Sequence, residues 1–267
     1  MKLVASTEPT GSGAGTRASA GTNAGTSAGT GTGPSLLRRQ MAVGCRVLSL
    51  NGHDDFNQGQ VSARARGAGE FHIKNAFRGF DDAGPEDMLL CPIDPGARLP
   101  RDAPPETPLH QAIYRARPDV GAIVHSHAEY ATVFGATDLP LEPISHEGAF
   151  FQGRIGRFDE TSHTILEHEV ASAVARALAG HSALLLCNHG LVVVAPTLRQ
   201  CAVLTLMLER ACKLQLLAQS TRQRYRVTRA DEVEKKRDYI YSEIAFRNYW
   251  NHAVQAAARA FPEVRGW

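Results

Sequence analysis

The sequence is short of the features that would assign it to several large classes. Its five cysteines include no CxxC pair and are odd in number, which speaks against a disulfide framework or a zinc ribbon. Cys187 and Cys201 sit in apolar runs, where a reduced thiol acts as a small core residue, and a reducing cytoplasm is the expected home. No apolar stretch approaches twenty residues, so no membrane span is expected. Charge of one sign is missing too. Lys plus Arg number 29 against 27 for Asp plus Glu, a net +2, and the basic residues are scattered, leaving no electrostatic case for nucleic acid.

Bulky apolar residues are scarce in residues 1–34, which repeat Gly, Ala, Thr and Ser. Such a composition cannot offset the entropy of ordering, so this segment reads as a disordered tail. It contains no continuous apolar stretch of the kind a secretory signal needs. The remaining residues, 35–267, are enough for one domain with a real core.

What the chain does have is a set of histidines at apolar strand ends. Residues 121–127 read GAIVHSH and residues 184–190 read LLLCNHG. Side chains alternate along a strand, so His125 and His127 share a face. His189, at the end of a second apolar segment, can complete a three-imidazole metal site from another direction. A lone His-x-His is a weak signal. Two apolar strands ending at histidines strengthen it, because open α/β sheets place their sites at strand ends.

The spacing of apolar residues and breakers predicts the frame. Helices are expected from Ser35 to about Ser49, over 109–115, 128–135, 169–178 and 197–220, and from a Thr228/Asp231 capping box to about Phe261. Strands are expected over 60–65, 71–74, 88–92, the histidine strand, 181–187 and 191–194. Residues 201–208 are apolar almost all round, which fits burial in a layer or at a subunit contact. The sum is an α/β fold, a three-layer α/β/α sandwich with a mixed sheet.

The run PPETPLHQAIYRARPDVGAIVHSH over 104–127, with LLCNHG at 185–190, resembles the signature of the class II aldolase/adducin superfamily across essentially residues 36–260. That resemblance implies His125, His127 and His189 as ligands of a divalent metal, with Glu106 in the position of the family's catalytic glutamate. A carboxylate there can be a fourth ligand or a general base. The family's members are usually tetramers, so a homotetramer is implied.

Two segments depart from the sugar-phosphate aldolases. Their phosphate loops correspond to NQGQVSAR at 57–64 and FHIKNAFRG at 71–79, which keep Ser62 and Arg64 but bring in Phe77. A phosphate needs small residues and exposed amides, so a less anionic, more apolar substrate is expected. Near PISHEGAFF at 143–151 those aldolases carry a tyrosine acid reaching in from a neighbouring subunit. His146 stands here instead, as a replacement acid, a contact to a carboxylate or a structural residue. Phe56, Phe71, Phe77, Phe80, Phe150 and Phe151 divide between core and a pocket for a ring or isoprenoid chain. Phe77 and Phe150 are the candidates for substrate contact, and Arg64 or Lys74 for a substrate carboxylate.

HDDFNQGQVSAR at 53–64 and PISHEG at 143–148 resemble the aldolase-like non-haem iron oxygenases of aminocoumarin antibiotic biosynthesis, which make the prenylated 4-hydroxybenzoate unit of clorobiocin and novobiocin. This resemblance implies Fe(II), dioxygen as co-substrate, and an aromatic 2-oxo acid, a prenylated 4-hydroxyphenylpyruvate, decarboxylated through the mandelate to the benzoate. The alternatives are a Zn²⁺-dependent aldolase or decarboxylase acting on an unphosphorylated acid, with Glu106 as base, and an adducin-like module without catalysis.

Overall fold

The computed structural model describes residues 35–66 and 69–267; the expected tail at 1–34 lies outside the described residues. Pro34–Trp267 form one compact unit. The sheet contains β1 (Gln60–Arg64), β2 (Glu70–Lys74), β3 (Met88–Pro92), β4 (Ala122–Ser126), β5 (Ile155–Phe158), β6 (Ala183–Leu186) and β7 (Gly190–Ala195). Their order is β3-β2-β1-β4-β7-β6-β5. Every pair is antiparallel except β5 with β6, which makes the sheet mixed, as expected.

Both faces of this sheet are covered, and the apolar alternation of each strand shows why. Val61, Ala63, Ala122, Val124, Leu191 and Val193 point into one core. That core is closed by α1 (Leu36–Leu48), α3 (Glu129–Gly135) and the long α6 (Leu198–Ser220), and Phe150 and Phe151 of α4 (His146–Phe151) join it. Ile73, Ile123, Leu184, Val192 and Val194 point the other way, against α2 (Thr107–Ala116) and α5 (His168–Leu178). The apolar segment of α6 is spent in the first layer: Cys201, Ala202, Val203, Leu204, Thr205 and Leu208 are buried within the chain.

The structure corrects the sequence reading at its C-terminal end and adds short elements, among them one α-helix and one strand. The expected single last helix is two, α7 (Ala230–Ile240) and α8 (Glu243–Ala260). The backbone leaves the helical region at Tyr241, and Ser242 caps the second helix by accepting from the Ala245 amide. The Thr228/Asp231 capping box does not form. Arg229 holds the cap position without a side-chain bond, Asp231 pairs with Arg229, and the Thr228 hydroxyl accepts from Lys236 Nζ. That helix and strand are α4 and β5, whose six and four residues carry too few periods to read.

The face of β1 that meets α2 is polar. Ser62 Oγ lies 2.7 Å from His110 Nδ1 and 2.9 Å from the Tyr114 hydroxyl, and all three side chains are buried. His53 is likewise enclosed, with Nδ1 2.9 Å from Ser126 Oγ. Burial lowers the pKa of His53 to about 4. Burial, aided by the charge of His125 against that of Glu106, lowers His110 to about 3.

Both imidazoles are therefore held neutral at pH values where the unfolded chain takes up protons. Their contribution to stability should be fully present above about pH 6.5 and be lost as the pH drops toward 4, with His53 alone contributing roughly 3 kcal/mol of that loss. Denaturant midpoints measured between pH 7.5 and 4 should show this slope, and His53→Gln should reduce it while the share of His110 remains; a slope unchanged by the substitution would refute the assignment.

Candidate metal centre

The centre is built where β4 and β7 lie side by side. In their antiparallel register His125 faces Val192 and Ser126 faces Leu191. His127 follows one residue beyond β4, on the same side as His125. The chain leaving β6 turns back through Cys187, Asn188 and His189 into β7, with Asn188 in the left-handed region at φ 56°, which asparagine tolerates. The glycine that follows is required by space. A Cβ on Gly190 would stand 2.5 Å from the Ser126 carbonyl oxygen and 2.8 Å from the His127 ring. Removing that atom lets the turn carrying His189 close against the strand end carrying the other two.

Glu106 enters from the N-cap of α2, the helix that packs on the face of the sheet to which Ile123 points, and the helix dipole there favours a carboxylate. One ligand atom from each of Glu106, His125, His127 and His189 lies within 4.8 Å of all the others. Glu106 Oε2 is 3.1 Å from His125 Nε2 and its Oε1 is 3.5 Å from His189 Nε2. The carboxylate is otherwise held by the Ile165 amide at 2.9 Å and by Gln60 Nε2 at 3.4 Å. Gln60 is itself the register partner of His125 across β1 and β4.

The donor chemistry fits a cation. His125 Nδ1 is 2.9 Å from the Leu191 carbonyl oxygen and His127 Nδ1 is 2.8 Å from Asp55 Oδ2. Both partners can only accept, so each Nδ1 carries a proton and each Nε2 is left with its lone pair. Those two Nε2 atoms face each other at 3.2 Å, an arrangement that a shared cation or a proton must relieve.

The titration tendencies say the same. Burial works to raise the Glu106 carboxyl, but the charge and hydrogen bond of His125, the Ile165 amide and the charge of His189 hold it well below the usual carboxylate range. Burial works to lower His125, and the Glu106 carboxylate outweighs it and raises it. Burial and the His125 charge lower His189 to about 4, and they lower His127 against the pull of Asp55. A dication would take the place of the proton that Glu106 and His125 share.

The other expected site residues are distributed differently. Phe77, 72% exposed, lines a cavity of about 420 Å³ beside Glu106, together with Gln60, Pro104 and Thr164. Lys74 also touches that cavity, but its ammonium is buried and donates to the carbonyls of Asn57, Asn75 and Arg78. Arg64 is not brought to the group. Its guanidinium donates to the carbonyls of Tyr114, Arg117 and Val120 and lies over the Tyr114 ring. Phe150 is 6% exposed and packs on Phe151, Tyr241 and Phe246, as part of the core.

His146 lines a separate cavity of about 300 Å³ with Leu206, Met207 and Tyr249, to which no metal-group residue contributes. A larger cavity, about 500 Å³, lies among residues 138–143 and 152–157 and likewise contains none of the group. The sequence reading missed Asp55 and Gln60. Both stand in the HDDFNQGQVSAR segment, but Asp55 is 72 positions from His127, and no spacing rule connects them.

The class II aldolase and adducin N-terminal domain model matches residues 39–216. The chain belongs to this family. Two curated relatives are each 38% identical over 110 residues: decarboxylase NovR of Streptomyces niveus, and the 4-hydroxy-3-prenylphenylpyruvate oxygenase/4-hydroxy-3-prenylbenzoate synthase of Streptomyces roseochromogenus subsp. oscitans. The match spans 41% of this chain and about two fifths of each relative, 41% and 40%. Among solved structures, the L-fuculose 1-phosphate aldolase of Glaciozyma antarctica PI12 superposes with a TM-score of 0.72 at 23% identity, covering 85% of this chain and 90% of the other. Family membership accounts for the fold, and the Glu106–histidine group, which could hold a metal, is consistent with it.

Removing the His125 imidazole should abolish divalent-metal binding in His125→Ala while the circular dichroism spectrum stays that of the parent. Asp55→Ala leaves all four ligand groups in place but frees the His127 ring, and should weaken binding by about tenfold or more. Titration of chelator-treated protein with Zn²⁺ measures both. Parent-like affinity in either variant would contradict the geometry.

Proposed function

We propose that the chain is a cytoplasmic, homotetrameric non-haem Fe(II) oxygenase. It would oxidatively decarboxylate a prenylated 4-hydroxyphenylpyruvate to the mandelate and then to 3-prenyl-4-hydroxybenzoate, a step of aminocoumarin antibiotic biosynthesis. The observation that carries this reading is the 38% identity, over 110 residues, to one relative named an oxygenase of a prenylated 4-hydroxyphenylpyruvate and another named a decarboxylase, together with a partly apolar cavity beside the metal group. Its volume of about 420 Å³ suits a single small ligand. Phe77, Ala103, Pro104 and Pro105 give it an apolar, ring-sized wall.

His125, His127, His189 and Glu106 would hold the metal. Bound there, Fe(II) would supply a chelation point for a 2-oxo acid and the electrons for dioxygen. Each step is balanced by one dioxygen: the first releases carbon dioxide and leaves the hydroxy acid, and the second releases carbon dioxide and water and leaves the benzoate. The chain's own contribution is positional. Asp55 and the Leu191 carbonyl fix the rings, and Ile165 and Gln60 aim Glu106. Glu106, kept ionised, can also accept a proton from the substrate if substrate displaces it from the metal.

The loop chemistry distinguishes this substrate from a sugar phosphate. Ser62, one of the residues kept from the phosphate loop, uses its hydroxyl on His110 and Tyr114, and Arg64 uses its donors on backbone carbonyls. Neither is left to hold a phosphate. A second reading, a Zn²⁺ aldolase or decarboxylase of an unphosphorylated acid with Glu106 as base, is supported by the three-imidazole donor set, which suits zinc equally well. The buried Glu106–histidine group argues against a non-catalytic module, since burying a carboxylate among imidazoles has no structural use of its own.

Anaerobically Fe(II)-loaded protein given a 3-prenyl-4-hydroxyphenylpyruvate should consume oxygen and release carbon dioxide, while Zn²⁺-loaded protein should not. Absence of uptake with iron would remove the oxygenase reading. Carbon-carbon cleavage of a 2-oxo or hydroxy acid by the zinc form without oxygen would establish the lyase.

A further inference from the structure

Three residues lining the cavity beside Glu106 carry ionisable groups at opposite stages of commitment. Glu106 is turned to the imidazoles and the Ile165 amide. Lys74 has three donors and three carbonyl acceptors, so its ammonium is saturated. Arg101 is exposed on the cavity wall and has no hydrogen bond, ion pair or ring contact among the described residues. Its guanidinium is therefore the cation of this cavity with all five donors unspent.

The backbone holds Arg101 in place even though its side chain is free. It occupies a turn closed by the Ala103 amide donating to the Pro100 carbonyl at 3.2 Å. The next carbonyl, that of Asp102, accepts from the Ala76 amide at 3.0 Å, and the Ala76 carbonyl accepts from Asn57 Nδ2 at 2.9 Å. The loop that carries Arg101 is thus stitched to the loop that carries Phe77, and both to the segment entering β1. The outcome is a cavity lined by Glu106 of the metal group, by Arg101 with its side chain unpaired, and by the apolar Phe77, Pro104 and Pro105.

We propose that Arg101 is the anchor for the carboxylate of the substrate and so makes the cavity selective for aromatic acids over their neutral analogues. This assignment rests on the reading of an aromatic 2-oxo acid as substrate. It replaces Arg64 and Lys74, whose donors are consumed inside the fold. A planar guanidinium can grip a carboxylate with two parallel hydrogen bonds. At an exposed, salt-screened position an isolated ion pair adds little, so the selectivity comes from the two-point geometry and the apolar wall beside it.

The test is calorimetric titration of full-length Zn²⁺-loaded protein, which cannot turn over by the oxygen route. The probes are 4-hydroxyphenylpyruvate and the neutral ketone 4-hydroxyphenylacetone, applied to the parent, Arg101→Gln and Arg101→Lys. The expected result is a loss of about tenfold or more for the keto acid in Arg101→Gln, a smaller loss in Arg101→Lys, and no change for the ketone in either. Equal affinity of parent and Arg101→Gln for the keto acid overturns the proposal, as does an equal loss for both probes. So does a parent that binds the acid no tighter than the ketone. Oxygen uptake is a separate readout, so the oxygenase reading can fail while carboxylate selection through Arg101 stands.

Discussion

The pairing of β4 with β7 is the constraint on which the site depends. It sets His125 and Ser126 against Val192 and Leu191, and it brings the turn bearing His189 to the strand end bearing His127. Slippage by one residue would send His125 to the opposite face of the sheet, because side chains alternate. The apolar runs on both strands resist that slip, since Ile123 and Val124 are committed to different cores. The geometry of the candidate metal group is thus secured by hydrophobic burial on two faces, with Gly190 clearing the space where the strand ends meet.

Around that frame the polar groups are arranged so that the buried carboxylate is not left alone. Glu106 is 4% exposed, a position where an unpaired charge would be strongly unfavourable. It gains the α2 N-terminus, an amide, an amide side chain and two imidazoles. The same helix then presents His110 and Tyr114 to Ser62 on β1. One helical face therefore serves the site at its first turn and a buried hydrogen-bond chain one and two turns later, which explains why α2 lies on this polar stretch of the sheet.

The aromatic residues sort by the same logic of available neighbours. Phe71, Phe80, Phe150 and Phe151 are enclosed, and the Phe150 cluster fastens α4 to α7 and α8 through Tyr241 and Phe246. Phe77 alone of the six lines the cavity beside Glu106, while Phe56 stands 87% exposed. The basic residues divide in parallel. Arg64 and Lys74, with carbonyls in reach, are absorbed into the fold, while Arg101 on its turn by the cavity keeps its donors.

By itself the sequence determined the strands and helices with clear apolar periodicity, the mixed three-layer architecture, and the approach of His125, His127 and His189, because strand alternation and the histidine spacing are local patterns; Glu106 entered only through the family resemblance. It missed α4, β5 and the break at Tyr241 and Ser242, where elements are short or a cap competes with helix-forming neighbours. Only the tertiary structure decided which polar residues are spent and which remain free. Asp55 reaches His127 across 72 positions, and Arg64, Lys74 and Ser62 find backbone or side-chain partners from distant segments. Those distances exist only after the sheet has closed, so no spacing along the chain encodes them.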